Sequence, residues 1–269
     1  MPDIKLFNCD ALEIIKQLQP KSVDLIFADP PYNLSGKNHL TCRSGKISKC
    51  DKGLWDQIEN IDEFNRIWIE GCMRVLKDNG TIWISGTLHN HPSIGTILKQ
   101  LNLWIINDII WFKPNATPLI QKNRFVPSTE LIWLAAKSKQ YYFNYNIAVK
   151  LNNGKQMRNL WEIPAERHKT IHPTEKPEKL LERIILIGSK EEDIILDPFM
   201  GSGTTGVVAK RLNRNFIGIE IDQTYYDIAQ KRIDNTHIET NLVQFLEKLT
   251  YKTSSQLDFY STIEKSKNY

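Results

Sequence analysis

The sequence predicts an α/β fold with a doubly wound, mostly parallel sheet. Short runs rich in Ile and Val alternate with longer runs of helical period along the 269 residues. Most of the short runs are apolar on both faces, as expected of strands that helices cover on both sides. A hydrophobic content of 41% with 25% charged residues is ordinary for a globular chain and argues against wholesale disorder.

The elements are predicted from apolar period and end signals. Predicted strands are Ile4–Asn8, Val23–Asp29, Thr81–Gly86, Trp104–Lys113, Thr129–Lys137, Asp193–Phe199 and Asn215–Ile221. Predicted helices are Asp10–Leu18, Ile61–Leu76, Pro92–Leu101, Pro177–Gly188, Thr204–Leu212 and Gln223–Asp234. Asp10 is a suitable N-cap for the first helix. Asn79-Gly80 is interpreted as the stop signal of the second.

Two polar segments, Asn33–Asn60 and Tyr145–Thr174, fit neither period and are predicted to be irregular and functional. Trp55 and Trp161 fall within them and are expected to serve function, whereas the tryptophans on predicted strands are expected in the core. Those four are Trp83, Trp104, Trp111 and Trp133. We expect one domain over residues 1–249 and a weakly ordered tail over residues 250–269.

The net charge of +4 is concentrated in one loop. Lys and Arg number 35 against 31 Asp and Glu, and residues 35–54 alone hold five basic residues against one acid. The chain has no apolar run of the roughly 20 residues that span a bilayer and no signal-peptide pattern at its start, so a cytoplasmic location is expected. A metal site at Cys42, Cys50 and His39 is disfavoured because zinc-type ligand pairs are missing.

A glycine-rich turn follows the predicted strand that ends near Asp197. Gly201, Gly203 and Gly206 satisfy the GxGxxG spacing at the start of a helix, and Glu220 ends the next strand. This order predicts a nucleoside site, in which the acid accepts hydrogen bonds from ribose hydroxyls. The turn alone leaves two ligands open. A carboxylate at Asp197 favours the cationic S-adenosylmethionine, whereas the glycine spacing is equally natural for a dinucleotide.

The predicted strand Val23–Asp29 runs into the tetrapeptide Asp29-Pro30-Pro31-Tyr32. Two prolines fix an extended backbone that carries no N–H groups. The Asp29 carboxylate and the Pro30 carbonyl are therefore neighbouring acceptors beside the ring of Tyr32. Such a site suits a planar ring with an exocyclic amine.

Together these motifs resemble those of the β-class amino-group DNA methyltransferases, which use S-adenosylmethionine. The tetrapeptide precedes the glycine turn, which matches the circularly permuted motif order of that class on a Rossmann-like fold. The segments 8–12, 172–177 and 216–220 resemble further family motifs, although Glu175 stands where Gln is usual. Asp at the first position of the tetrapeptide is typical of adenine N6 methylation. Segments 51–56 and 152–157 resemble companion methyltransferases of GATC-specific restriction systems, some of which accept single-stranded DNA.

The resemblance implies roles for individual residues. Asp29, Pro30, Pro31 and Tyr32 are the expected catalytic residues. The expected cofactor residues are Asp10, Ala11, Lys176, Asp197, Phe199, Gly201, Ser202, Gly203, Thr204 and Glu220. Thr204 and Thr205 are expected to donate to the cofactor carboxylate at a helix N-terminus. Lys176 either does the same or is a solvated charge.

DNA contacts are predicted from basic side chains. Lys37, Arg43, Lys46, Lys49 and Lys52 directly follow the tetrapeptide and are placed to reach phosphates beside an extruded base. Lys122 and Arg124 form a second acid-free run together with Lys113. Arg158 lies in the irregular segment expected to recognise bases.

The implied partners are DNA, double-stranded or single-stranded, a second copy of the chain and a restriction endonuclease, with no membrane. Four alternatives stay open at this point: cytosine N4 methylation, methylation of RNA or a protein amide, a nicotinamide-dependent dehydrogenase, and a non-enzymatic DNA-binding module. The dehydrogenase accounts for the glycine turn and Glu220 but leaves the tetrapeptide and the basic loop unexplained.

Overall fold

The computed structural model describes residues 1–31, 60–119, 122–166, 175–240 and 245–246. The strands of this part of the chain are β1 (Ile4–Asn8), β2 (Val23–Ala28), β3 (Leu76–Gly86), β4 (Trp104–Phe112), β5 (Thr129–Ala136), β6 (Leu160–Glu162), β7 (Ile194–Asp197) and β8 (Asn215–Glu220). The helices are α1 (Ala11–Gln17), α2 (Ile61–Val75), α3 (His91–Gln100), α4 (Tyr145–Leu151), α5 (Glu178–Gly188), α6 (Thr204–Arg211) and α7 (Gln223–Asp234).

All eight strands form one sheet in the order β1-β8-β7-β2-β3-β5-β4-β6. Both strand pairs that include β5 are antiparallel, and the others are parallel. The chain winds one way from β2 to β3 and the other way from β7 to β8. The carboxyl ends of β2 and β7 therefore flank a topological switch point, where open α/β sheets bind their ligands. The mostly parallel, doubly wound sheet predicted from the sequence is confirmed.

Apolar side chains cover both faces of the sheet. Leu25 and Phe27 of β2 pack in the cluster that holds α4, α5, α6 and α7. Ile26 and Ala28, which point to the opposite face, pack in the cluster that holds α1, α2 and α3. This is why β2 is apolar at nearly every position. Within the described ranges, no helix combines the length and apolarity needed to cross a membrane.

The prediction that Asn79-Gly80 ends the second helix is wrong. α2 ends at Val75 and β3 begins at once at Leu76, so Asn79 and Gly80 lie inside the strand. A Cβ at Gly80 would stand 2.7 Å from the backbone oxygen of Asp24. Glycine therefore allows β2 and β3 to approach closely here, which a single sequence does not distinguish from a helix end.

The prediction that Tyr145–Thr174 is irregular is wrong for two parts of the segment. Helix α4 occupies its start, and the Asn144 side chain caps the helix by accepting a hydrogen bond from the Ile147 N–H at 3.1 Å. Strand β6 pairs with β4 in parallel over three residues. Both elements are too short to show a period, and a distant strand specifies β6. Most of the other segment, Asn33–Asn60, lies outside the described residues, as do Trp55 and residues 250–269.

Two expectations for tryptophans are also wrong. Trp161 is 4% exposed and packs against Trp83 at a ring-centroid distance of 6.2 Å, so it belongs to the core. Trp104 is 41% exposed, because it begins β4 at the rim of the sheet, where the Lys139 ammonium lies 4.8 Å from its ring. Trp83 and Trp111 are buried as expected. Trp133, only partly buried, stacks on His91 at 4.4 Å and packs against the core.

Candidate active site

A cavity opens at the carboxyl ends of β1, β8, β7 and β2, at the switch point of the sheet. Its volume of about 260 Å³ is far more than a single ion or water molecule occupies. Its described lining includes Asp10, Ala11, Asp29, Pro30, Pro31, Lys176, Asp197, Phe199, Gly201, Ser202, Thr204 and Glu220. The first three residues of the tetrapeptide and the glycine turn are thus brought to one site, although they are some 170 residues apart in the chain.

The glycine turn joins β7 to α6 and is held by the next strand. Gly201 has φ of 52° and its N–H donates to the Glu220 carboxylate at 2.9 Å. Gly203 has φ of 82°, a backbone conformation that favours glycine, and a Cβ there would lie 2.7 Å from the Cβ of Ala229. Gly201 therefore lines the cavity, whereas Gly203 is required by close packing on α7 and is not among the lining residues.

Asp197 closes β7 and is 2% exposed. Its carboxylate accepts hydrogen bonds from the Phe199 N–H at 3.0 Å and from the Thr205 hydroxyl at 2.6 Å. Burial raises the pKa of Asp197 to about 7, and those two hydrogen bonds only partly oppose the effect. The residue therefore shapes the turn and also changes its charge near neutral pH.

Glu220 ends β8 with both carboxylate oxygens engaged by backbone N–H groups. One accepts from Gly201, and the other accepts from Asp222 at 2.8 Å. Burial raises the pKa of Glu220 above its ordinary value. The carboxylate retains lone pairs toward the cavity that it lines.

The hydroxyls of Thr204 and Thr205 do not point freely into the site as expected. Thr205 donates to Asp197, and Thr204 donates to Glu175 at 2.9 Å. The same Glu175 carboxylate pairs with Arg232 of α7 at 2.5 Å. Arg232 also donates to the Ser202 carbonyl at 2.7 Å, which ties the turn to α7. Glu175, the departure from the usual Gln, is therefore matched by a cation that sequence analysis missed.

Lys176 is buried and is therefore not a solvated charge. It is 6% exposed, and its ammonium lies 2.5 Å from Asp29 and 3.3 Å from Glu130 at the start of β5. Glu130 in turn accepts from Lys113 at 3.0 Å. Lys176 therefore belongs to a chain of ion pairs that ends at Asp29, and because it also lines the cavity, its contact with the cofactor carboxylate stays a prediction.

Three other predicted cofactor residues, Asp10, Ala11 and Phe199, also line the cavity. Asp10 caps α1 by accepting from the Leu12 N–H at 2.6 Å and lines the cavity beside Ala11. Phe199 meets Trp68 edge-on at 5.4 Å, so one aromatic wall is held by the core. Sequence analysis missed Phe64 and Tyr225, which also line the cavity, because both look like ordinary helix residues.

The charge of the lining is unbalanced. Five acids line the described part of the cavity, namely Asp10, Asp29, Glu175, Asp197 and Glu220, against one base, Lys176. Lys176 is already paired with Asp29, and Glu175 with Arg232. The lining acids outside these two ion pairs are Asp10, Asp197 and Glu220. Their carboxyl groups make the charge facing the cavity negative, which suits a cationic ligand and disfavours a pyrophosphate.

The remaining predicted site residues are either outside the described residues or exposed on the surface. Tyr32 and the basic-loop residues Lys37, Arg43, Lys46, Lys49 and Lys52 lie outside the described residues, as do Cys42 and Cys50. Lys122 and Arg124 are exposed on the connection from β4 to β5. Arg158 is exposed two residues before β6.

Comparisons with known proteins identify the family of the chain. A model of the N6/N4 methyltransferase family, described as DNA methylase, matches residues 23–231. The type II methyltransferase M2.DpnII of Streptococcus pneumoniae is 47% identical, covering 88% of this chain and 91% of that relative. M2.MboI of Moraxella bovis is 43% identical, covering 86% and 87%.

Solved structures give the same result. The M1.HpyAVI structure in complex with SAM superposes with a TM-score of 0.66 at 32% identity, covering 86% of this chain and 99% of that one. The cytosine-N4-specific PvuII DNA methyltransferase, at a TM-score of 0.69 and 18% identity, supports the fold alone. The family expected from the sequence is confirmed, and the chain belongs to the N6/N4 family of DNA methylases.

Proposed function

We propose that this chain transfers the methyl group of S-adenosylmethionine to the N6 amine of an adenine extruded from DNA. One observation carries the proposal: the Asp29 carboxylate and the glycine turn line the same cavity at the switch point of the sheet. An acceptor for an amine and a nucleoside site therefore adjoin, as a direct transfer between two bound molecules requires.

The cavity chemistry fits S-adenosylmethionine. Its sulfonium and ammonium carry positive charge, which the excess of lining carboxylates favours. A nicotinamide dinucleotide brings a pyrophosphate and gains nothing from Asp197 or Asp10, which counts against the dehydrogenase alternative. When bound, S-adenosylmethionine supplies an electrophilic methyl group. The residues we assign to its binding all line the cavity and are Asp10, Ala11, Asp197, Phe199, Gly201, Ser202, Thr204 and Glu220.

The residues after β2 are assigned to the target base. The Asp29 carboxylate and the Pro30 carbonyl accept the two N6 hydrogens, and Tyr32 stacks on the ring. Accepting these hydrogens favours a pyramidal nitrogen, whose lone pair then points at the methyl group. Lys176 keeps the Asp29 carboxylate charged and oriented, since its ammonium is buried against it at 2.5 Å. Cytosine N4 presents a similar amine, so N4 methylation is the second candidate.

Several finer assignments belong to the same proposal. We assign GATC as the target sequence, because segments 51–56 and 152–157 resemble companion methyltransferases of GATC-specific systems. We assign a restriction-modification system with a partner endonuclease as the setting, because the relatives M2.DpnII and M2.MboI are type II methyltransferases. A homodimer, a cytoplasmic location and one catalytic domain over residues 1–249 complete it. Lys37, Arg43, Lys46, Lys49, Lys52, Lys122, Arg124 and Arg158 are assigned to DNA contacts. The first five directly follow the tetrapeptide in the chain, and the last three are exposed cations that phosphates attract.

Expression of the chain in a methylation-deficient host tests the proposal directly. Long-read sequencing of the host DNA is expected to find N6-methyladenine at GATC. Wild-type protein should also methylate a GATC oligonucleotide with tritiated S-adenosylmethionine, and the same incubation without DNA sets the background. N4-methylcytosine in place of N6-methyladenine would assign the N4 reaction. Unmodified DNA would refute methyl transfer to DNA.

The affinity for S-adenosylmethionine should rise with pH through neutrality. Burial holds the pKa of Asp197 at about 7 in the free protein. A bound sulfonium favours the charged carboxylate, so ligand binding releases a proton wherever Asp197 is still protonated. If the sulfonium lowers that pKa by about one unit, the affinity rises by at most about tenfold between about pH 6 and about pH 8.

Titration calorimetry at several pH values measures this effect. S-adenosylhomocysteine lacks the sulfonium and is the matched ligand, for which the rise should be clearly smaller. In the Asp197→Asn variant, the affinities for S-adenosylmethionine and S-adenosylhomocysteine should depend on pH to the same extent. An affinity for S-adenosylmethionine that is flat over this range would contradict the role assigned to Asp197.

A further inference from the structure

The connection between β4 and β5 carries an aromatic side chain with no apolar cover. Phe125 is 98% exposed, and apart from Met1 it is the most exposed large apolar side chain of the described residues. Its neighbour Val126 is 39% exposed. A single exposed apolar side chain is common on protein surfaces, so the case for a contact outside the fold rests on the position and the surroundings of Phe125.

The topology puts this connection at the catalytic edge of the sheet. β5 runs antiparallel to β3, with Leu131 opposite Gly86, so the start of β5 lies at the edge where β2 and β3 end. Glu130, five residues after Phe125, reaches Lys176, which contacts Asp29. The connection is thus linked to the site through side chains and is no remote surface.

The stem of the connection is fixed while its tip is exposed. The Lys113 N–H donates to the Ser128 carbonyl at 2.7 Å, and the Lys113 ammonium pairs with Glu130. Asn115 exchanges two hydrogen bonds with the backbone of Ala165, each at 2.8 Å. Phe125 lies three residues from the fixed Ser128, so less of the chain has to be ordered when Phe125 makes a binding contact.

The charge around Phe125 is positive. Residues 114–128 contain Lys122 and Arg124 and no acid, and both basic residues are exposed. An aromatic ring directly after two cations matches a nucleic acid, in which the phosphates meet the cations and a base meets the ring. Apolar wedges of this kind also hold base steps apart in bent or opened duplexes.

We propose that Phe125 is a DNA-stacking residue that packs against a base next to the extruded adenine and so supports its extrusion. This inference rests on the proposed function and names how the same site engages its substrate. Extrusion leaves an unstacked neighbour in the duplex, and an aromatic side chain offers it a new stacking surface.

Binding to a short fluorescent GATC duplex tests the inference, with S-adenosylhomocysteine present to prevent turnover. Fluorescence anisotropy should show that Phe125→Ala weakens binding about tenfold, the effect of losing one stacked base. Phe125→Trp should bind within about twofold of wild type, since stacking is retained. Phe143→Ala is the matched control, because Phe143 is 40% exposed and follows β5 at the opposite edge of the sheet. It should bind as wild type does.

Salt dependence separates stacking from charge. Phe125→Ala should shift the plot of log affinity against log salt without changing its slope, whereas Arg124→Gln should lower the slope. A lowered slope in Phe125→Ala would assign its loss to displaced cations and overturn the stacking role. Equal binding by Phe125→Ala and wild type, or a Phe125→Trp variant as weak as Phe125→Ala, would do so as well.

Two further measurements keep the alternatives apart. Phe125→Ala should bind S-adenosylhomocysteine normally and keep the oligomeric state of wild type in sedimentation. A variant that dissociates would show that Phe125 serves an interface between copies of the chain and would overturn the proposal. If wild type itself neither binds nor methylates the duplex, the proposed function is refuted. If wild type is active and Phe125→Ala binds the duplex equally well, only the stacking role of Phe125 is refuted.

Discussion

Asp29→Ala is expected to abolish methyl transfer while S-adenosylmethionine still binds. The carboxylate accepts an amine hydrogen and so favours the lone pair that attacks the methyl group, an effect that exists chiefly in the transition state. We expect kcat to fall about a thousandfold or more, which is roughly 4 kcal/mol of activation free energy. Single-turnover transfer of a tritiated methyl group measures the loss.

The matched variant is Asp29→Asn, which has the same shape and keeps one oxygen acceptor without the charge. It should lie between wild type and Asp29→Ala in rate. Both variants should bind S-adenosylhomocysteine within about threefold of wild type. Near-normal turnover by Asp29→Ala would refute the assignment, and lost cofactor binding would show that the substitution damaged the site as a whole.

Two features of the site were predictable from local signals in the sequence. The glycine turn stands between an apolar strand and a helix, and Glu220 ends the next strand, so the sheet topology brings them together at the edge where a nucleoside binds. Asp29 follows a strand that is buried on both faces, which puts it at the same edge. Strand ends of a parallel sheet converge, and a single sequence carries enough information to place them.

The partners of these residues were not predictable, because they come from distant parts of the chain. Lys176 and Asp29 are 147 residues apart, and Glu130 starts a strand whose antiparallel direction has no local signature. Arg232 lies on an exposed-looking helix, yet it pairs with Glu175 across the turn. A basic residue in a sequence looks the same whether it is solvated or buried, and only tertiary packing decides between the two.

That limit applies most directly to Lys176, which was predicted to be either a cofactor ligand or a solvated charge and whose ion pair with Asp29 only the structure shows. Glu175 shows the same effect, since its extra negative charge relative to Gln is balanced by Arg232. In both cases the electrostatics of the site depend on pairs, so single-residue motifs understate how the site is built. The Asp29–Lys176–Glu130–Lys113 chain also connects the catalytic edge to the stem of the β4–β5 connection.

Lys176→Met is expected to lower kcat about a hundredfold. Removing the buried ammonium takes away the cation that lies 2.5 Å from the Asp29 carboxylate, whereas Glu130 keeps its ion pair with Lys113. Asp29 then favours its protonated form, in which it no longer accepts from the amine as an anion. Methyl transfer by this variant should therefore require a higher pH than transfer by wild type, and kcat measured as a function of pH tests this.

Lys113→Met provides the control, because Lys113 pairs with Glu130 at 3.0 Å and so lies at the far end of the chain of ion pairs from Asp29. It removes a cation from the same chain of ion pairs, so a purely structural effect through Glu130 would appear in both variants. We expect its pH profile to match that of wild type and its kcat to fall by less than about fivefold. Lys176→Met should bind S-adenosylhomocysteine normally if its ammonium serves Asp29. Binding lost in parallel with kcat would instead make Lys176 a cofactor ligand, and identical profiles for the two methionine variants would remove the specific link to Asp29.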